Sequence, residues 1–307
     1  MVTILMSNSK LLQGLDSKSV AGVPLTNVSL LRLDQHHALA PGNKWFKLQG
    51  YLARARALGA TRLVSFGGAW SNHLHALAAL GKQEGMATTG IVRGDDPIAL
   101  SPTLVDCQNW GMELIFVSRG EYRRRDEVEY LATLQSRFDN SLLIPEGGSS
   151  SPGVAGCVHI GQMMAEQQSC PGRVMIAVGT GTTLAGMALG LGEGWSVTGV
   201  SALKGAHDLE DRIEAAIQQA ATSSKPAQWQ VLLDHHCGGF ARVSSDLKSF
   251  MLEFEAVYGV ALDPVYTAKV LYALHQLRAS GEWPAEEPVT VVHTGGVQGR
   301  RGFNWLN

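Results

Sequence analysis

The features that place a chain in an extreme class are missing from these 307 residues. Lysine and arginine total 25 against 27 acidic residues, a net charge of −2 without a basic tract, which argues against nucleic acid as a partner. No apolar run approaches the roughly 20 residues that span a bilayer, so no membrane segment is expected. Met1–Gly14 lacks a charged start followed by a sustained apolar run, and no secretion signal is read there. Cysteine is scarce: Cys107, Cys157, Cys170 and Cys237 are scattered and form no CxxC pair. They read as small buried residues of a reducing compartment, which points to a soluble, cytoplasmic protein. His73-x-His75 and His235-His236-Cys237 are fragments of metal sites without a ligand set at recognised spacing, so no metal is expected. Internal repeats and low-complexity tracts are absent too.

What the chain has is alternation. Strands are expected at 28–33, 62–66, 88–92, 112–117, 142–145, 173–178, 197–201, 230–233 and 289–293. Helices are expected from Asn43, where Leu48, Tyr51, Leu52, Ala55 and Leu58 recur at helical spacing, and at 74–80, 104–110, 122–138, 154–167, 182–192, 208–221, 244–258 and 267–278. Strand and helix in turn predict parallel βαβ units with right-handed crossovers, an α/β fold. The length suits two closely joined lobes, each an open, mostly parallel sheet flanked by helices. Gly147–Gly153, rich in glycine and serine, reads as the return from the smaller lobe to the larger. The division expected is 1–46 plus 149–307 for the larger lobe and 47–148 for the smaller.

Four polar stretches carry chemistry. Pro41-Gly42-Asn43-Lys44 is a turn in which Asn43 can cap the helix that follows, with Lys47 one turn on. Lys44 at a helix entrance faces the positive end of the amide dipole, which disfavours its ammonium and suits an amine that attacks a carbonyl. A solvated lysine is the plain alternative. Val178-Gly179-Thr180-Gly181-Thr182-Thr183 runs from a strand into glycines and hydroxyls that open a helix, an anion site suited to a phosphate. A dinucleotide is disfavoured, since Leu184 stands where GxGxxG requires its third glycine and no acid follows the next strand. Gly68-Ala69-Trp70-Ser71-Asn72-His73 is a second loop after a strand, where Ser71 either caps a helix or meets a ligand. Tyr266-Thr267 opens a late helix, and Tyr266 is either a structural phenol or an acid/base. An amine, a phosphate loop, a Ser-Asn loop and a Tyr-Thr pair together point to pyridoxal 5'-phosphate, which acts as an electron sink while the protein positions it.

The combination resembles the fold-type II pyridoxal-phosphate enzymes, specifically the 1-aminocyclopropane-1-carboxylate deaminase and D-cysteine desulfhydrase family. Carrying the resemblance, in order, are Gly42-Asn43-Lys44-x-x-Lys47-Leu48, Gly67-Gly68-x-x-Ser71-Asn72-His73, Pro145-x-Gly147-Gly148-Ser149, Gly179-Thr180-Gly181-Thr182-Thr183-x-Ala185-Gly186, Leu262-Asp263-Pro264-Val265-Tyr266-Thr267-x-Lys269 and His293-Thr294-Gly295-Gly296. The resemblance implies the cofactor in a cleft between the lobes, a small amino acid as substrate and a homodimer. It makes Lys44 the residue linked to the cofactor aldehyde and, once freed, the base. Ser71 would sit by the substrate carboxylate or move a proton, Asn72 would bond the ring oxygen, and Gly179–Thr183 would hold the phosphate. Tyr266 would face the substrate, Thr267 would contact the ring nitrogen, and Thr294 would lie beside the cofactor.

Departures from the family bear on substrate. Thr267 stands where the ring-opening deaminases have a glutamate, and Phe240 where they have a second tyrosine. Trp70 replaces a glutamine and His75 an arginine. The expected activity is therefore β-elimination from a small amino acid, D-cysteine desulfhydrase-like. The cyclopropane amino acid deaminase and a pyridoxal-phosphate-binding protein without turnover are the alternatives.

Overall fold

The computed structural model describes residues 11–220 and 225–306. Met1–Lys10 of the segment read for a secretion signal, and Ala221 at the end of the helix expected at 208–221, lie outside them. The chain opens with β1 (Leu12–Gly14), β2 (Ser19–Val20), β3 (Val23–Pro24), β4 (Val28–Arg32), α1 (Asn43–Leu58) and β5 (Arg62–Gly67). There follow α2 (Asn72–Glu84), β6 (Ala87–Arg93), α3 (Pro102–Asn109), β7 (Met112–Val117), α4 (Arg119–Arg123), α5 (Val128–Arg137) and β8 (Ser141–Ile144). After α6 (Ser151–Gln167) come β9 (Arg173–Val178), α7 (Thr182–Leu191), β10 (Ser196–Ser201), α8 (Leu209–Gln219) and β11 (Gln228–Leu232). The chain finishes with α9 (Ser245–Tyr258), α10 (Thr267–Ala279), β12 (Val289–His293) and a 3-10 turn at Val297–Gly302.

Among the described residues two main sheets form, as the alternation predicts, beside a two-stranded antiparallel pair of β2 and β3. One has four parallel strands in the order β7-β6-β5-β8, and the other six in the order β1-β4-β12-β9-β10-β11. Among the described residues only β1 runs antiparallel to its neighbour in the larger sheet. Central strands such as β9 and β12 are apolar almost throughout, because helices cover both faces of a parallel sheet. The strands at 112–117, 173–178 and 289–293 agree with expectation to the residue. No helix among the described residues is long and apolar enough to cross a membrane.

Two expectations need correction, and three short strands are additional to those expected. The single helix at 122–138 is broken: α4 ends at Arg123, Arg124–Asp126 is a 3-10 turn, and Glu127 is extended before α5. Adjacent arginines are drawn apart there, Arg125 inward to Glu146 at 2.7 Å and Arg124 to Glu127 at 3.0 Å. The β1–β3 strands escape a sequence reading because each is two or three residues long and carries too little alternation to register. Cys170 is exposed rather than buried, since it lies in the loop beyond α6, and Cys237 is half-buried; all four cysteines are free.

Sheet order is what gathers the polar loops. β4, β12 and β9 are neighbours, so the turn at Pro41–Lys44, the His293–Gly296 segment and the Gly179–Thr183 loop leave adjacent carboxyl ends. β5 and β8 are likewise neighbours, and release Gly68–Asn72 and Pro145–Ser149 side by side. Such strand ends are where open α/β sheets bind ligands. α1 is pinned across α6 at backbone contact: a side chain on Gly156 would overlap the Phe46 carbonyl. That contact holds the first turns of α1, and both of its lysines, against the Gly147 loop.

Candidate active site

Lys44 and Lys47 lie one turn apart on α1 and share a face. Both ammonium groups reach the Gly147 carbonyl, Lys44 Nζ at 3.4 Å and Lys47 Nζ at 3.1 Å. Lys47 also points to Thr180 Oγ1 at 3.5 Å. Gly147 has a φ of 69°, the left-handed conformation that favours glycine, while a Cβ there would make only ordinary contact, 3.4 Å from the Thr180 methyl and 3.7 Å from Lys44 Nζ. Burial lowers the Lys44 pKa well below the lysine range, and the Lys47 charge lowers it further. Burial also lowers that of Lys47. A biased amine at Lys44 is thus present as expected, but its principal causes are desolvation and a neighbouring cation rather than the helix dipole. Sequence reasoning gives Lys47 no role, although its three-residue spacing from Lys44 is visible there.

Asn43 is the first residue of α1 and not its cap. Gly42 precedes the helix with a φ of 92°, and Asn43 instead donates to Thr183 Oγ1 at 2.9 Å. That bond ties the lysine turn to the Gly179–Thr183 loop. Within the loop, Thr180 and Thr182 hydroxyls meet at 3.0 Å where α7 begins. Gly181 has a φ of 86°, so its amide is free to turn with those of the helix start. Gly179 lies under Tyr266: a Cβ there would be 3.4 Å from the ring edge and 3.6 Å from the phenol oxygen.

On the opposite sheet, Ser71 caps α2 by accepting from the Leu74 amide at 3.2 Å. Asn72 follows, its Oδ1 accepting from Gln298 Nε2 at 2.8 Å. His73 is buried, with Nε2 at 2.9 Å from Ser65 Oγ. Ser65 gives its hydrogen to the Ile144 carbonyl at 2.8 Å, so His73 Nε2 must donate and its Nδ1 is a lone pair without a partner. Burial first, then the Lys44 and Lys47 charges, hold His73 neutral. His75 turns the other way, to Asp106 at 3.0 Å. Neither histidine motif joins a group of three metal-ligating side chains among the described residues.

Tyr266 and Thr267 are positioned by Asp263, whose carboxylate accepts from the amides of Val265, Tyr266 and Thr267 at 3.0, 2.9 and 2.8 Å. Burial foremost, with the Asp263 and Glu146 charges, raises the Tyr266 pKa and keeps the phenol protonated. Phe240 meets Tyr266 edge-on with centroids 6.2 Å apart. The Thr267 hydroxyl is buried with no hydrogen-bond partner among the described residues, which leaves it open to bond a ligand. Thr294 is buried and its carbonyl accepts from the Asn43 amide at 3.1 Å.

The donor set fits a phosphorylated aldehyde on an aromatic ring. An amine biased toward neutrality suits the aldehyde, glycine amides and threonine hydroxyls at a helix start suit the phosphate, and an orphaned buried hydroxyl suits a ring nitrogen. Comparison with known proteins agrees. A Thermotoga maritima protein provisionally named a 1-aminocyclopropane-1-carboxylate deaminase is 28% identical over 89% of this chain and 89% of its own. A Klebsiella pneumoniae D-cysteine desulfhydrase is 27% identical over 83% of this chain and 82% of its own. A crystal structure of an ACC deaminase homologue superposes with a TM-score of 0.78 at 25% identity, covering 91% of this chain and 86% of that one. The family model for pyridoxal-phosphate dependent enzymes matches residues 21–295, and this chain belongs to that family, of fold type II, with pyridoxal 5'-phosphate as its cofactor.

Proposed function

We propose that the protein is a lyase acting on a small amino acid with a β-leaving group, and that with water it converts D-cysteine to pyruvate, ammonia and hydrogen sulfide. When bound, the cofactor supplies the electron sink that makes the substrate α-proton acidic. Lys44 Nζ would hold the cofactor aldehyde and, as a free amine, would take the substrate α-proton. Lys47, beside it, keeps a second ammonium from forming cheaply, so Lys44 meets substrate as a base. The Gly179–Thr183 amides and the hydroxyls of Thr180, Thr182 and Thr183 would hold the phosphate. Asn72 would donate to the ring oxygen, Thr267 would bond the ring nitrogen, and Thr294 would lie beside the ring. Ser71 orients the substrate carboxylate, and Tyr266, protonated at rest, hands its proton to the departing group.

The observation that carries this choice of reaction is the uncharged Thr267 hydroxyl buried directly after Tyr266. A neutral partner leaves the ring nitrogen a weaker sink, adequate for expelling a thiolate but poor for opening a carbon ring. Deamination of 1-aminocyclopropane-1-carboxylate is the second reading, favoured by the name of the Thermotoga relative and opposed by Thr267 and Phe240. A cofactor-binding protein without turnover is the third. Residues 1–46 with 149–307, and 47–148, are proposed as the two lobes, the protein as a cytoplasmic homodimer. Keto-acid release from a panel of D- and L-amino acids and the cyclopropane amino acid, with sulfide measured in parallel, separates the readings. Cofactor binding without keto acid from any of them would end the enzymatic one.

A further inference from the structure

We infer that the 3-10 turn Val297–Gly302 is a bridge between the lobes that fixes the Asn72 amide, with Gln298 as its positioning residue. Gln298 Nε2 donates to Asn72 Oδ1 at 2.8 Å across 226 residues of sequence. The amide lies in a slot of bare backbone: a Cβ on Gly296 would come within 2.7 Å of Asn72 Nδ2, and one on Gly299 within 3.5 Å of Oδ1. Glycine leaves the slot, and Gln298 Nε2 takes the Asn72 oxygen, its own Oε1 being buried without a partner among the described residues. With its oxygen engaged by Gln298, Asn72 presents its N–H to a ligand, the polarity an anionic ring oxygen needs.

The turn is anchored on both sides of the cleft. Arg300 pairs with the Glu255 carboxylate through both terminal nitrogens and donates to the Leu262 carbonyl at 2.6 Å. Glu255 in turn accepts from the Leu262 amide at 2.9 Å, one residue before the Asp263 that holds Tyr266 and Thr267. Toward the four-stranded sheet, Arg301 pairs with Asp106 on α3, which also holds His75. Trp70 lies against Gly302, where a Cβ would be 3.1 Å from the indole. The turn therefore sets Asn72 relative to the Tyr266–Thr267 end of α10, and Gln298 is its point of contact with Asn72.

This inference rests on Asn72 as donor to the ring oxygen. The test is titration of cofactor-free protein with pyridoxal 5'-phosphate, read by visible absorbance and its pH midpoint, in wild type, Asn72→Ala, Gln298→Met and the double variant. Gln298→Met is expected to weaken binding by about three- to tenfold and to move the midpoint in the same direction as Asn72→Ala. On the Asn72→Ala background it should do neither. Gln298→Glu, close to isosteric but unable to donate, should weaken binding at least as much. If Gln298→Met acts fully on the Asn72→Ala background, or lowers only the melting temperature of the cofactor-free protein, the inference is overturned. If Asn72→Ala itself changes neither affinity nor absorbance, the reading of Asn72 fails first and takes the inference with it.

Discussion

Gly42→Ala should be far more damaging than its size implies, and Gly59→Ala is the control that shows why. Gly42 has a φ of 92° and ψ of −168°, a region closed to residues with a Cβ. Holding alanine there costs about 1–3 kcal/mol in backbone strain. Its methyl would also overlap the Thr294 carbonyl and come within 2.8 Å of Gly295 Cα, both backbone and unable to swing aside. Overpacking of that kind adds about 1–3 kcal/mol, for a total near 2–6 kcal/mol. Gly59 shares a positive φ of 66° at the end of α1, but a methyl placed on it would have nothing within 4 Å, so its cost is only about 1 kcal/mol. Urea denaturation of the cofactor-free proteins measures both, the midpoint falling at unchanged slope. Visible absorbance on adding pyridoxal 5'-phosphate should be lost in Gly42→Ala, whose Lys44 turn is pushed off Thr294, and kept in Gly59→Ala. Equal losses of stability in the two variants would mean that the turn is not held by this contact, and the placement of Lys44 would need another cause.

Three further outcomes follow from the site. The native state holds the Lys44 pKa below 10.5 and so binds fewer protons than the unfolded chain. Stability of the cofactor-free protein should therefore rise with pH toward that value relative to Lys44→Met, by about 1.4 kcal/mol for each tenfold loss of proton affinity; paired urea midpoints that stay parallel from neutral pH upward would refute it. Thr267→Val removes a hydroxyl that has no partner, so cofactor-free stability should change by less than about 1 kcal/mol while cofactor affinity falls, as melting and absorbance titration can establish. Asp263→Ala strips the acceptor from the amides of Val265, Tyr266 and Thr267, and should lower unfolding free energy by about 2 kcal/mol or more in the same denaturation assay.

Two of the polar loops are legible because they sit where a strand's periodicity stops and glycine, serine or threonine begins; Ser71 and Thr180 can be found that way, while Lys44 and Tyr266 stand out only as polar residues at the entrance of a helix. Their spacing along the chain carries no statement of who meets whom. Asn43 looks like a helix cap because its neighbours are local, yet its amide is taken by Thr183, 140 residues on. The long helix expected at 122–138 fails for a similar reason: the partner that draws Arg125 out of line is Glu146, beyond the next strand.

Periodicity, glycine turns and hydroxyl-rich strand ends are local properties, and they are enough to specify an α/β chain, every strand of its two main sheets except β1, and a lysine at a helix entrance. Tertiary packing decided the rest. It set half-buried Lys44 beside Lys47 and so lowered its pKa, forced the His73 tautomer through Ser65 and Ile144 within the four-stranded sheet, left Thr267 without a partner among the described residues, and brought Gln298 to Asn72. Desolvation and hydrogen-bond partnership depend on which elements pack together, and that is not a local property of the sequence.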